Sequence, residues 1–435
     1  MEETVQVVKV EVPRPDWAGV KAINEQAFCR YFDQAYHMVY TEGNFYSCNG
    51  LEREELVQKL IYDCISPYYC TGMNKKVNSL TDVLKRELWQ YSLEEQENLV
   101  HCSNGTYVVG DNILDYSRIC RCRLPVSYNP RAPRPQRWLA FLDELLEPED
   151  VLTLQEFFGY CLLPINYAQK MLMIIGKGGE GKSRVGVVAS RLFGDTMVNG
   201  SLSKLEKSPF SRADLQNRLL MVDDDLQLEA LTTTGNIKTI ITAEQPIDLE
   251  RKGVQSYQGK LFCRLMAFGN GNLRSLHDRS HGFFRRQIIL TAKPRPENRV
   301  DEPLLAKILC RELEGILLWA IAGLERLMGN DFQFTISAAA ANNLRQAMAD
   351  SNNTVEFMKA QGYHRFDPLG MITCRRLYEC YEDWCADNML RPLSSKSFVS
   401  ALIAEQETYG IRYSNHVPGG NDREVRGFRG IRAVV

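Results

Sequence analysis

The chain carries 13 cysteines but no Cys-x-x-Cys pair, and it has only six histidines. Zinc ribbons and fingers need paired ligands at close spacing, so no structural metal site is expected and the thiols read as ordinary reduced cysteines. Cys120-Arg121-Cys122 is the tightest pair, and no second pair stands at zinc-ribbon distance from it. No apolar run approaches the ~18 residues of a membrane span. The start, Met1-Glu2-Glu3-Thr4, is acidic and Pro13 and Pro15 follow soon after, which is the wrong charge and hydropathy for a signal peptide. These absences predict a soluble, cytoplasmic protein with no membrane partner. Residues 1–117 also lack an Asp-x-Asp cluster, the carboxylate pair with which a polymerase or primase centre holds two metals.

Charge of one sign is scarce in the total but not locally. The formal net charge is −2, yet residues 1–117 hold 10 Lys/Arg against 18 Asp/Glu, residues 118–137 hold six Arg and no acid, and the remainder balances. A near-neutral total therefore does not argue against nucleic acid, because a local basic stripe can supply phosphate contacts. With 435 residues, 44% of them hydrophobic, the chain can build about three domains at the usual 100 to 200 residues each.

What is present centres on Gly176-Lys177-Gly178-Gly179-Glu180-Gly181-Lys182-Ser183. An apolar run, Met171 to Ile175, precedes it as a buried strand, and Val185 to Ala189 follows as a helix. Strand, Gly-rich loop and helix is the context of a phosphate-binding P-loop. The glycines let successive N–H groups wrap a nucleotide's phosphates; Lys182 would neutralise the β/γ-phosphates and the Ser183 hydroxyl would hold Mg²⁺. A nucleoside triphosphate is the expected ligand.

About 40 residues further on, the apolar strand Leu219 to Val222 ends in Asp223-Asp224-Asp225. One carboxylate there can support Mg²⁺ and the next can orient or deprotonate the attacking water. Asp223 is assigned to the metal, Asp224 to the water, and Asp225 to a helix N-cap or the surface. A third strand, Leu261 to Phe268, ends at Gly269-Asn270, whose amide can hydrogen-bond the γ-phosphate or the lytic water. Arg285-Arg286 then precede the strand Gln287 to Leu290. Such a pair is commonly a solvated strand entrance, but in a ring ATPase an arginine here reaches a neighbour's γ-phosphate.

The order GKGGEGKS, LLMVDDD, ITAEQPIDLERKG, KLFCRLMAFGN and GFFRRQIIL resembles superfamily 3 helicases, the AAA+ type of phage and plasmid primase-helicases and their poxvirus relatives. The resemblance is most specific over about 120–300 and extends to the C-terminal Leu377-Tyr378-x-x-Tyr381-x-x-Trp384 stretch. It implies a hexameric ring that moves on single-stranded DNA and opens forked DNA, with ATP and Mg²⁺ held between subunits. By that resemblance Gly176 to Ser183 bind phosphates, Asp223 and Asp224 form the acidic pair, Asn270 is the sensor, and Arg285 or Arg286 is the finger. The stretch 241–260 corresponds to the family's DNA-contacting hairpin and brings Lys252, with Arg251, nearest the channel. The triple Asp departs from the usual two-acid pattern, and the polymerase domain that fused members carry upstream has no counterpart here, so the name primase does not transfer; a separate primase or polymerase is among the expected partners.

The expected architecture is α/β. A mixed α/β accessory domain (1–117) leads through a basic Pro/Arg-rich linker (118–137) into an AAA+ P-loop core (138–300). A helical connection (301–365) then joins a winged-helix-like, DNA-binding domain (366–435). The linker, with Pro125, Pro130, Pro133 and Pro135, reads as stiff and extended rather than packed, either a strap on DNA or a neighbouring subunit or a solvated connector. Leu304 to Leu327 and Phe334 to Ser351 read as helices. In the tail Tyr378, Tyr381 and Trp384 make a core stripe, and Arg412, Arg423, Arg426, Arg429 and Arg432 make the wing basic. The function expected is an ATP-dependent helicase for replication of a mobile element. A replication initiator whose ATPase controls assembly shares every one of these residues. A GTPase or nucleotide kinase is disfavoured by the lack of an Asn-Lys-x-Asp motif and by the arginine pair.

Overall fold

The computed structural model describes residues 14–93, 97–111, 113–226, 234–270, 281–295, 307, 309–351, 353–388, 390, 392–419 and 423–434. They divide into two compact units. The first draws its described residues from 1–226, 235–270 and 290–337; the second draws them from 227–234, 271–289 and 338–435.

A five-stranded sheet, four of whose strands lie wholly in the first unit, is ordered Gln287–Thr291, Met171–Gly176, Arg264–Asn270, Leu220–Asp223, Met197–Asn199. By chain rank this order is fifth, first, fourth, third, second. The three pairings among Met171–Gly176, Arg264–Asn270, Leu220–Asp223 and Met197–Asn199 are parallel, so the chain must cross over between them, and these strands are mostly apolar and buried, as a sheet covered on both faces requires. Helix Lys182–Phe193 lies close against it: a Cβ on Gly186 would stand 3.0 Å from the Phe268 ring. Trp138, fully buried, meets Phe158 and the edge of Trp319 at ring separations of 5.9 and 5.6 Å. Helices Pro148–Tyr160 and Leu313–Gly329 cross at Gly159 and Gly323, where any side chain would strike the opposite backbone.

The N-terminal residues form two three-stranded antiparallel sheets, Val39–Thr41/Asn44–Ser47/Gly50–Glu52 and Leu99–Cys102/Gly105–Val108/Ile113–Asp115. Three helices, Glu25–Tyr36, Glu54–Ile65 and Met73–Glu87, close a core of Trp17, Phe28, Phe32, Ile61 and Leu84. This core belongs to the same unit as the central sheet.

The structure corrects the reading of residues 118–137. They are extended, but they are packed: Cys120, Cys122, Leu124 and Val126 are buried. Backbone and thiol bonds run from Cys120 N to Ser47 O (3.1 Å), from Leu124 N to His101 O (2.8 Å) and from Cys122 Sγ to Asn217 O (3.2 Å). Arg121 grips Glu42 through both guanidinium nitrogens (2.6 and 2.5 Å), and Arg123 donates to Cys102 O. The backbone, the thiols and two of the six arginines thus hold the segment against the N-terminal sheets and Asn217, while Arg118, Arg131, Arg134 and Arg137 stay exposed.

The helix expected from Phe334 begins only at Ala338. Phe334 instead packs its ring edge on Tyr160 (5.8 Å), and Glu156 accepts from both Thr335 N and Thr335 Oγ1 (2.7 Å each). Ser337 Oγ donates to buried Asp150 (2.5 Å). The Thr335 N–H is thus satisfied by a side chain and has no need of a helical ladder. The residues expected to start the preceding helix, 304–306, lie outside the described residues; the helix described is Leu313–Gly329.

The second unit contains an antiparallel sheet ordered His364–Thr373, Glu424–Ala433, Arg412–Pro418, with helices Asn353–Lys359, Cys374–Asp387 and Ser395–Ala404. Tyr381 and Trp384 lie in its core with Phe357, Leu377 and Phe398, and Tyr381 stacks on Phe398 at 4.3 Å. Ser394 caps the third of these helices through the Ser397 N–H (3.2 Å). Among the described residues no helix is long and apolar enough to cross a membrane.

Candidate functional site

The parallel strands deliver their C-terminal ends to one edge of the sheet, where crevices form in open α/β folds. Gly176 and Asn270 are register partners there, and Asp223 pairs with Ala267 on the other side of the Asn270 strand. Asn270 therefore stands between the glycine loop and the acidic strand end, as the strand order dictates.

The loop 177–181 turns through Gly178 (φ +112°), Gly179 (φ +81°) and Gly181 (φ +109°), a conformation that residues with a Cβ rarely adopt. Helix Lys182–Phe193 then starts with no side-chain cap and with the positive end of its dipole facing the loop. Lys177, Gly178 and Gly179 are exposed, as is Ser183 at the first turn of the helix.

Lys182 and Glu180 do not reach solvent. They are 6% and 5% exposed, and Lys182 Nζ donates to Glu180 Oε2 at 2.7 Å and to Asn270 Oδ1 at 3.2 Å. The Glu180 carboxylate also accepts from Lys177 N and, at 2.9 and 3.1 Å, from Gly178 N. Burial alone would raise this carboxyl, but the Lys182 and backbone hydrogen bonds hold it below the usual carboxylate range. An anion is thus already held by the donors of the loop. The position is a variable one in the glycine pattern, so nothing in the sequence singled out Glu180 for this contact.

Asp223 is buried, with Oδ2 accepting from Leu202 N at 2.8 Å. Burial raises its carboxyl; the N–H groups of Leu202 and Asp225 oppose the rise, and the Asp225 and Asp224 charges add to it. Asp224 and Asp225 are exposed. The three acids thus separate into one buried, anchored carboxylate and two that reach solvent. Among the described residues no group of three or more His, Cys, Asp or Glu is placed to hold a metal ion.

Residues 247–259 form a two-stranded antiparallel hairpin, Ile247–Arg251 against Val254–Gly259, with Lys252-Gly253 at its tip (Gly253 φ +75°). Arg251 and Lys252 are exposed, and Arg251 Nη2 donates to Gln216 Oε1 at 2.8 Å. In the second unit Arg285 and Arg286 follow helix His281–Phe284. Arg285 is exposed; Arg286 is half-buried and donates to Gly282 O.

Comparison with known proteins gives one family match, a family of unknown function (DUF5906), over residues 174–286. That span runs from the strand before the glycine loop to the arginine pair. No curated protein matches the sequence. Among solved structures, the apo C-terminal region of NrS-1 (305–718) is similar at TM-score 0.56 and 11% identity, covering 96% of this chain and 100% of that one. The A form of the apo NrS-1 C-terminal region gives TM-score 0.52 at 10% identity, covering 92% and 98%. At such identities the likeness is one of fold, a mixed α/β protein built on a five-stranded parallel sheet, and it extends over nearly the whole chain.

Proposed function

We propose that the chain is an ATP-driven DNA translocase of the AAA+, superfamily 3 helicase type, acting as a hexameric ring in replication of a mobile element. The observation that carries the reading is the glycine loop itself. Its backbone N–H groups and Lys182 already converge on a carboxylate, with Asn270 and the acidic strand end alongside. The donor set therefore fits a phosphate. Mg²⁺, which takes one or two protein oxygens and completes its shell with substrate phosphates and water, would be held instead by oxygens beside that donor set, the exposed Ser183 hydroxyl and the Asp223 carboxylate. When bound, Mg²⁺ supplies neutralising charge to the β- and γ-phosphates.

The chain's own groups would then divide the work. Lys182 stabilises charge on the phosphates, Asn270 orients the γ-phosphate or the water, and Asp224, the exposed carboxylate, takes the proton from the attacking water. Arg285 or Arg286 of a neighbouring subunit supplies the remaining charge. Lys252 at the hairpin tip makes a sequence-blind contact to a DNA phosphate, with Arg251 behind it. In this reading 138–300 is the motor and 1–117 an accessory domain. Residues 366–435 are a winged-helix-like DNA-binding domain whose exposed arginines include Arg412, Arg423 and Arg426.

Asp224→Asn is expected to keep nucleotide binding and lose hydrolysis by about 10²- to 10⁴-fold. Loss of binding instead would mean that Asp223 and Asp224 have their roles exchanged. The reading as a whole is tested by phosphate release from Mg²⁺-ATP with and without single-stranded DNA. Release that DNA stimulates is expected; release indifferent to DNA at all concentrations contradicts it.

A further inference from the structure

We propose that Glu180 is an internal competitor for the triphosphate, so that this residue sets the nucleotide affinity of the loop. The inference rests on the reading of residues 176–183 as a nucleotide site and concerns how that site is filled. The Glu180 carboxylate takes three of the donors a bound phosphate would use: the N–H groups of Lys177 and Gly178 and the ammonium of Lys182. A phosphate oxygen cannot share those hydrogens with it, and two anions at one buried nest repel. Nucleotide can therefore bind only after the carboxylate has left.

A second feature shows that this contact is accommodated by the chain rather than incidental. A Cβ on Gly176 would lie 2.7 Å from Glu180 Oε1 and 2.8 Å from Glu180 Cδ, so glycine at 176 is what leaves room for the folded-back side chain. The way out is also present. Glu180 is flanked by Gly179 and Gly181, both at positive φ, and a Cβ on Gly179 would meet nothing within 4 Å. Rotation about these glycines carries the carboxylate to solvent while Lys182 stays on its helix. The depressed carboxyl pKa adds that the competitor is ionised at neutral pH.

Binding to the open state alone reduces the apparent affinity by the fraction of protein that is open. A loop closed about nine-tenths of the time therefore binds about tenfold more weakly than an open one. Removing the charge with Glu180→Gln, or the side chain with Glu180→Ala, is expected to tighten both ADP and ATP by about that factor, alanine at least as much as glutamine.

The test is equilibrium titration of the full chain with fluorescently labelled ADP and ATP in Mg²⁺, for wild type, Glu180→Gln and Glu180→Ala, with thermal melts to establish that each variant is folded. Tighter binding by both variants supports the inference. Unchanged or weaker binding by folded variants, with wild type binding normally, overturns it and makes Glu180 a support of the loop. If neither wild type nor variants bind nucleotide, the nucleotide reading of the loop fails and this inference with it.

Discussion

Replacing Lys182 by alanine is expected to lower ATP hydrolysis by at least about 10³-fold while the protein stays folded. The side chain sits at the first position of helix Lys182–Phe193 and its ammonium reaches the donors' focus of the glycine loop, where charge develops as the γ-phosphate departs. Its loss removes transition-state stabilisation rather than core packing, since the helix is held to the sheet by Val185, Val188, Ala189 and Leu192. The substitution also leaves Glu180 buried without its cation, but that carboxylate can turn out to solvent between two glycines, so no unpaired buried charge need remain. Phosphate release and a thermal melt on the same preparation check both halves of the statement. Turnover at the wild-type rate would remove the loop from the mechanism.

Arg285→Ala or Arg286→Ala is expected to cost 10³- to 10⁵-fold in hydrolysis with nucleotide affinity nearly unchanged, the range seen when an arginine finger is removed. A finger acts on a neighbour's nucleotide, so the defect is shared between subunits in a specific way. Lys182→Ala protein retains its arginines, and the arginine variant retains its glycine loop. Mixing the two should restore a fraction of the ATPase, because some interfaces then contain one intact half from each. Phosphate release measured over a series of mixing ratios reads this directly. Mixtures that stay inactive while the variants demonstrably co-assemble would make the pair a strand entrance and nothing more.

The parts of the site that the sequence showed plainly are those written in consecutive residues. The glycine loop needs its particular φ values at Gly178, Gly179 and Gly181, and only the pattern of glycines can meet them. The strands ending at Asp223 and Asn270 are short apolar runs, which register as buried parallel strands whatever surrounds them. Glu180 was not visible because a motif defines where a side chain starts, not which donors it turns towards. Composition alone makes 118–137 look like a linker, but its pattern carries a packing signal: Cys120, Cys122, Leu124 and Val126 alternate with Arg121, Arg123 and Pro125, the period of an extended segment with one face buried. The late start of helix Ala338–Ser351 depends on Asp150 and Glu156, nearly two hundred residues earlier in the chain, which no local pattern reports.

Translocation by a ring, as distinct from ATP-controlled assembly on DNA, is tested most directly by strand displacement on a forked duplex. Wild-type protein with Mg²⁺-ATP is predicted to release the displaced strand, with no release when ATP is omitted or when Lys182→Ala protein is used. Hydrolysis that single-stranded DNA stimulates, accompanied by no displacement of any fork polarity, would contradict the helicase account.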